Sequence, residues 1–443
     1  MRINIRIDNN KRYQKIEGFG ASGAWWSQDV GNWDNIEEIM DLLYDKKKGI
    51  GLNIYRYNIG AGLPSYARDA WRRSETLESG SGVYDLSRDA AAIKVFKLAA
   101  ERGAVHNVLF ANSPPARMTV SGYTSGGNNK RESNLAQEHE VSFARYCADI
   151  TRLIIDAGLP VKYLSPINEP QWDWGGRDAS QEGCHYKLEQ VIRVGRAVAQ
   201  ELEKQGLPVK ISLAESGKWN DTEYTFGLYD LMLEDKALRE LVDHYAVHSY
   251  WSNEADKKTA AEFFKSKSKI LPLHQTEWCQ MQGGIDLGMD AAIIMAKEIH
   301  ADLTILSVIS WSHWLGVSCY DYKDGLVYVN RENRSYQDSR RMWALGNYSR
   351  FIKEDYVRIE AELDNDMLSA SAYQSPDGRE TVAVIINETQ SAQELAIDYF
   401  DTGITRVYIT DENNICRDVF EKISGVRGYE IPARSVVTFV NLK

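Results

Sequence analysis

Disulfide chemistry has little to work with here. The 443 residues contain five cysteines (Cys147, Cys184, Cys279, Cys319 and Cys416), odd in number, widely spaced and without a C-x-x-C. That excludes a disulfide framework or a structural zinc site as the organising device. No apolar run approaches the ~20 residues of a membrane span. The N-terminal MRINIRIDNN alternates apolar and polar residues like an edge strand and lacks the apolar stretch of a signal peptide. Clusters of positive charge are missing too. Lys and Arg number 52 against 63 Asp and Glu, a formal charge of −11, so neither nucleic acid nor a membrane is an expected partner. No Gly-x-Ser-x-Gly or Cys/His/Asn arrangement is present, and Gly18-Phe19-Gly20 lacks the helix start of a phosphate loop. No cofactor is expected. These absences describe a soluble, thiol-bearing protein of the cytoplasm; a secreted chain without its leader reads the same.

What is present is an ordinary globular composition, 43% hydrophobic and 26% charged, in a chain long enough for two or three domains of ~150 residues. The aromatics are skewed: 12 Trp and 24 Tyr against 11 Phe. Aromatics with a polar handle suit wet clefts that bind sugars or peptides.

From Ile16 to Ile352 short apolar runs alternate with amphipathic stretches. The candidate strands are Ile16–Ala21, Leu52–Asn58, Val105–Asn112, Val161–Ile167, Lys210–Ala214, Val242–His248, Ile270–Thr276 and Leu306–Trp311, each followed by a candidate helix. Two helices should end at Gly158 and Gly206, each with a proline two residues later. Eight strands alternating with eight helices predict a (β/α)8 TIM barrel over residues 16–352. From about Asp355 the segments become short and alternating, with turns such as Pro376-Asp377-Gly378. Residues 353–443 therefore read as an appended all-β sandwich, completed by residues 1–15.

A barrel of this kind carries its chemistry at the C-terminal ends of the strands. Those ends supply Arg56, Asn112, Asn168, Glu169, Glu215, His248, Tyr250, Glu277, Trp278 and Trp311, with Trp172 and Trp174 just beyond. Nine of the twelve Trp lie at or past strand ends, which reads as stacking platforms around a cleft. Glu169 and Glu277 close strands four and seven, across the barrel mouth from one another. Paired carboxylates in a Trp-lined cleft are what glycosidic cleavage needs: one protonated to serve the leaving oxygen, the other ionised. Arg56 and Tyr250 are placed to keep Glu277 ionised, and Asn168 to bond a sugar hydroxyl. Glu215 is either a sugar ligand or a solvated loop residue. His244 and His248 have the i,i+4 spacing of a helical metal pair but sit in a strand pattern, so no metal site is expected.

Five motifs in order, Ile16-Glu17-Gly18-Phe19-Gly20-Ala21-Ser22-Gly23, Arg56-Tyr57-Asn58-Ile59-Gly60, Asn112-Ser113-Pro114-Pro115, Ser165-Pro166-Ile167-Asn168-Glu169-Pro170 and Thr276-Glu277, resemble glycoside hydrolase family 30 of clan A. The resemblance covers nearly the whole chain. It implies a retaining hydrolase with Glu169 as acid/base and Glu277 as nucleophile, and a non-proline cis peptide at Trp311–Ser312. The loop Gln171–Gly176 looks most like the β-1,6-galactanases. A basic loop like that of glucuronoxylanases is not found, and Ala116-Arg117-Met118 stands where glucosylceramidase-like members usually carry Trp. The expected partner is a β-1,6-linked galactan or its oligosaccharides. The alternatives are a β-xylan or β-glucoside hydrolase of the same family, or an inactive carbohydrate-binding barrel.

Overall fold

The computed structural model describes residues 2–127, 131–176, 178–400 and 403–443. Two compact units are present, one of Gly20–Glu37 and Asn53–Trp278, the other of Met1–Phe19, Glu38–Leu52 and Cys279–Lys443.

In the first unit the apolar runs form parallel strands that, apart from Lys210, are buried along their length, which is why they read as continuous hydrophobic segments rather than alternating ones. In chain order these are Gly18–Ser22 (from Gly20 on), Ile54–Asn58, Val108–Phe110 and Tyr163–Ser165, then a split fifth strand, Lys210–Ile211 and Ala214–Ser216, then Tyr245–Val247 and Leu273–Gln275. Ser22 pairs with Arg56, Arg56 with Val108, Val108 with Tyr163 and Tyr163 with Lys210. On the other side Ala214 pairs with Ala246, and Tyr245 with Leu273. Each half of the fifth strand thus serves one neighbour, and the sheet curls about that joint.

Helices Ala90–Glu101, Glu140–Asp156, Leu188–Lys204 and Glu254–Lys265 alternate with these strands. The two glycine stops act as expected. Gly158 and Gly206 have φ of 82° and 66°, a region where a Cβ would be strained. The Gly158 and Leu159 amides donate to Ile155 and Ile154 carbonyls (2.8 and 3.2 Å), closing a Schellman motif, and Gly206 and Leu207 repeat it.

The second unit holds the eighth strand, Ser310–Ser318, with helices Met289–Ala301 and Arg340–Ser349. It also holds a hairpin not foreseen, Gly325–Val329 with Tyr336–Asp338, whose first strand runs parallel to the eighth. Its all-β part is a nine-stranded sheet. The N-terminal strand Ile3–Lys15 lies inside it, antiparallel to Val357–Leu363 and parallel to Gln393–Ile397. Ile3, Ile5 and Ile7 alternate into a core with Ile359, Leu395, Ile397 and Phe439. Each such burial contributes about 1.5–3 kcal/mol, which fixes the strand's register. The fold is a (β/α)8 barrel with an all-β sandwich, the expected class. The expected cis bond at Trp311–Ser312 is not found. The cis bonds among the described residues are Leu63–Pro64 and Leu213–Ala214.

Candidate active site

Strand ends two, four, five, six and seven converge on one hydrogen-bonded cluster. Arg56, from the second strand, lies against the Phe110 ring at 4.1 Å. Its Nη1 donates to Glu277 Oε2 (2.8 Å), and its Nη2 lies 3.5 Å from Glu215 Oε2. The Tyr250 hydroxyl donates to Glu277 Oε1 (3.0 Å), so both oxygens of that carboxyl face donors. His248 stands between the other two carboxyls, with Nδ1 3.1 Å from Glu169 Oε1 and Nε2 3.0 Å from Glu215 Oε2. Thr276 also donates to Glu215 Oε2.

Backbone geometry aims these groups. Glu169 and Glu215 have φ of 45° and 54°, left-handed values that non-glycine residues rarely hold and that recur at functional sites. The Glu169 amide donates to the Glu215 carbonyl (2.9 Å). The Glu169 carbonyl in turn accepts from the Trp174 indole N–H (2.9 Å). The loop after strand four is thereby folded back on Glu169.

Electrostatics follow from burial and charge. Burial alone would push the His248 imidazole down. The carboxylates of Glu277, Glu169 and Glu215 overturn that and hold it up at about 10, so it is an imidazolium at neutral pH. Burial would raise Glu215, but Arg56, His248 and Thr276 bring it down to about 2. Glu277 is pushed up by burial and by Glu169, against the pull of His248 and Arg56.

Glu169, His248 and Glu277 each present a ligand-type atom, and these atoms lie within 4.8 Å of one another. That spacing would admit a metal ion. A ring donating both N–H groups has no lone pair to ligate, however, and Arg56 already neutralises Glu277, so the donor set does not fit one.

Other expected site residues are placed differently. Asn168 is 4% exposed and its Oδ1 has no hydrogen-bond partner, as a group awaiting a ligand would be. Asn112 Nδ2 is tied to Asn58 Oδ1 (3.1 Å). Glu215 is fully buried with its carboxylate engaged, which replaces the expected choice between sugar ligand and loop residue with an ion-pair role beneath the site. Trp311 is 0% exposed and gives its N–H to Asp302 (2.9 Å), so it does not offer the stacking surface expected of it. The other strand-end Trp follow suit. Trp26, Trp219 and Trp278 are buried, and Trp219 donates to Ser249 Oγ (2.6 Å). Trp172 and Trp174 are half-buried, and Trp251 alone of the nine is exposed. Thr276 and Gln171 stand in the motif and the loop named above but were given no role of their own there; their signal was adjacency to the two strand-end glutamates.

The O-Glycosyl hydrolase family 30 model matches residues 2–227 and 238–328, and the Glycosyl hydrolase family 30 beta sandwich domain matches 357–439. An endo-beta-1,6-galactanase of Hypocrea rufa is 22% identical over 419 residues, covering 89% of this chain and 83% of that protein. A conserved exported protein from Bacteroides fragilis superposes with a TM-score of 0.88 at 24% identity, over 98% of this chain and 99% of that one. The catalytic domain of GH30 xylanase C from Talaromyces cellulolyticus superposes at 0.78 and 20% identity, over 99% and 100%. The chain belongs to glycosyl hydrolase family 30 and is a glycoside hydrolase.

Proposed function

We propose that this hydrolase cleaves β-1,6-linked galactan or its oligosaccharides with retention of configuration. The observation that carries the mechanism is the placing of Glu169 and Glu277 oxygens within 4.8 Å of one another. Retaining enzymes hold their carboxyls ~5–5.5 Å apart, whereas inverting ones leave ~6.5–9.5 Å for a water. Glu277, held between Arg56 and Tyr250, attacks the anomeric carbon. Glu169 gives its proton to the leaving oxygen, then takes one from the water that hydrolyses the ester. His248 and Glu215 orient and balance the pair. The Arg56–Glu277 contact also argues against a retired, binding-only barrel.

For the substrate, support comes from the galactanase relative and from the loop Gln171–Gly176, anchored through Trp174 to the Glu169 carbonyl. The likeness to a xylanase keeps a second reading, β-xylan or β-glucoside hydrolysis. Comparing kcat/KM on β-1,6-galactotriose, xylotriose and gentiobiose separates them. Preference for either of the last two overturns the galactan reading, and an inverted anomer in the first product overturns retention. Among the described residues no helix is long and apolar enough to cross a membrane. A cytoplasmic location would supply imported oligosaccharides and an exported one the polymer, which cell fractionation distinguishes.

A further inference from the structure

Three loops of the barrel mouth meet at a carboxyl that the hydrolytic mechanism does not use. Glu182, in the loop 171–187 after strand four, is fully buried. Its Oε1 accepts from the Ala61 amide (3.0 Å) in the loop after strand two, and the Gly62 amide and Ser74 hydroxyl face the same carboxyl. Thr124, from the loop after strand three, ties the other two together. Its hydroxyl donates to the Gly62 carbonyl (2.9 Å), and its own carbonyl accepts from the Gly183 amide (3.1 Å). Gly183, next to Glu182, lies against the Trp174 indole: a Cβ there would stand 2.3 Å from Trp174 Cδ2. That indole is the one whose N–H holds the Glu169 carbonyl (2.9 Å). A chain of contacts therefore runs from Glu182 through Gly183 and Trp174 to the backbone of Glu169, whose left-handed φ of 45° persists only under such support.

We propose that Glu182 is a positioning residue: its carboxyl latches the loop after strand four to the loop after strand two, and so holds Trp174 where it fixes the Glu169 backbone. The proposal rests on the reading of Glu169 as acid/base. The latch is governed by a proton, because its donors are neutral. The titratable groups around it are Tyr146, from helix Glu140–Asp156, and beyond that Cys147 and the ion pair of Glu78 with Arg117 (3.0 Å). On its own loop Cys184 and Tyr186 are buried beside it in sequence. Burial pushes the Glu182 carboxyl up to about 8, against the pull of the Ala61 and Gly62 amides and the Ser74 hydroxyl. The docked carboxyl thus keeps its proton up to about pH 8, whereas an exposed one releases it near 4.5. Docking is firmest below pH 4.5, weakens as pH rises from 4.5 to 8, and changes no further above 8.

The test compares Glu182→Ala and Glu182→Gln with the unmodified enzyme on two substrates. One is whichever of β-1,6-galactotriose, xylotriose and gentiobiose is cleaved fastest, whose leaving group needs a proton; the other is the dinitrophenyl β-glycoside of the same sugar, whose leaving group does not. We expect Glu182→Ala to lower kcat on the oligosaccharide about tenfold with KM little changed, and to cost far less on the aryl glycoside. Glu182→Gln, which keeps the shape of the neutral acid, should recover most of the loss. Hydrogen exchange of the Gly183 amide, corrected for its intrinsic rate, reads the latch itself. Its opening constant should rise about tenfold per pH unit between pH 5 and pH 8 in the unmodified enzyme and stay level in Glu182→Gln. Equal losses on both substrates, or the same pH slope in both proteins, overturn the proposal. Failure of the Glu169 reading shows separately, as equal losses on both substrates in Glu169→Ala, and surviving aryl activity reports that the variants are folded.

Discussion

Replacing Glu215 by Gln takes one charge from beneath the site while keeping its shape. In the acid role proposed for Glu169 that carboxyl enters the reaction neutral, and two cations (Arg56 and His248) then face two anions (Glu215 and Glu277). Glu215→Gln leaves that cluster with an excess positive charge, so the acid gives up its proton more easily. One imidazole spans Glu215 and Glu169, with 3.0 and 3.1 Å contacts. The two carboxyls are then ~8 Å apart, and at an effective dielectric of ~20 their repulsion is ~2 kcal/mol. That equals about 1.5 pH units. Loss of one acceptor also weakens the hold on the His248 proton, which gives part of the shift back. The alkaline limb of kcat/KM should therefore move towards acid by about one unit. A pH–rate profile on an aryl glycoside measures it, with Glu215→Asp as the variant that retains the charge. If Glu215→Gln lowers kcat/KM evenly across pH with the limb unmoved, Glu215 is a packing residue and the balance described above is wrong.

The two site glutamates should fail differently. Glu277→Ala should abolish turnover of every substrate, while Glu169→Ala should lose about 10²–10⁴-fold on poor leaving groups and keep more on activated aryl glycosides, with azide restoring activity as a β-glycosyl azide. Equal losses on both substrate types without rescue contradict the assignment. His248 makes a stability prediction. Its folded value of about 10 is raised above the ordinary 6.5, so its contribution is complete below pH 6.5 and lost as pH rises through 10. The Tm should decline between pH 7 and pH 10, and decline less in His248→Asn; parallel declines would show that other groups set the slope.

The barrel strands were legible because parallel strands buried on both faces leave continuous apolar runs, and the helix stops because glycine at positive φ has no substitute. The depth of side chains at strand ends was not legible. Trp26, Trp219 and Trp311 sit at the right places for a cleft, yet each spends its N–H inside the protein, on Ser22, Ser249 and Asp302. Sequence position gives the strand end but not the direction of the ring. Glu215 was misjudged for a related reason. Its strand is interrupted at Ser212–Leu213, which resets the alternation that would otherwise tell inward from outward. The hairpin of Gly325–Val329 and Tyr336–Asp338 did leave a signal, a turn pair Asp324-Gly325 followed by the apolar run Leu-Val-Tyr-Val.

The N-terminal strand has a consequence for biosynthesis. Asn4 bonds Asp364, a partner 360 residues later. At about 5–20 residues per second the ribosome delivers that partner some 20–70 s after the strand itself. For that interval Ile3, Ile5 and Ile7 form an unpaired apolar edge, open to pairing with another nascent chain. Arg2, Arg6, Asp8, Lys11 and Arg12 interleave and follow those isoleucines, and charges so placed disfavour strand addition by a stranger. The waiting time of that strand is thus an interval of synthesis in which association with another chain competes with native pairing.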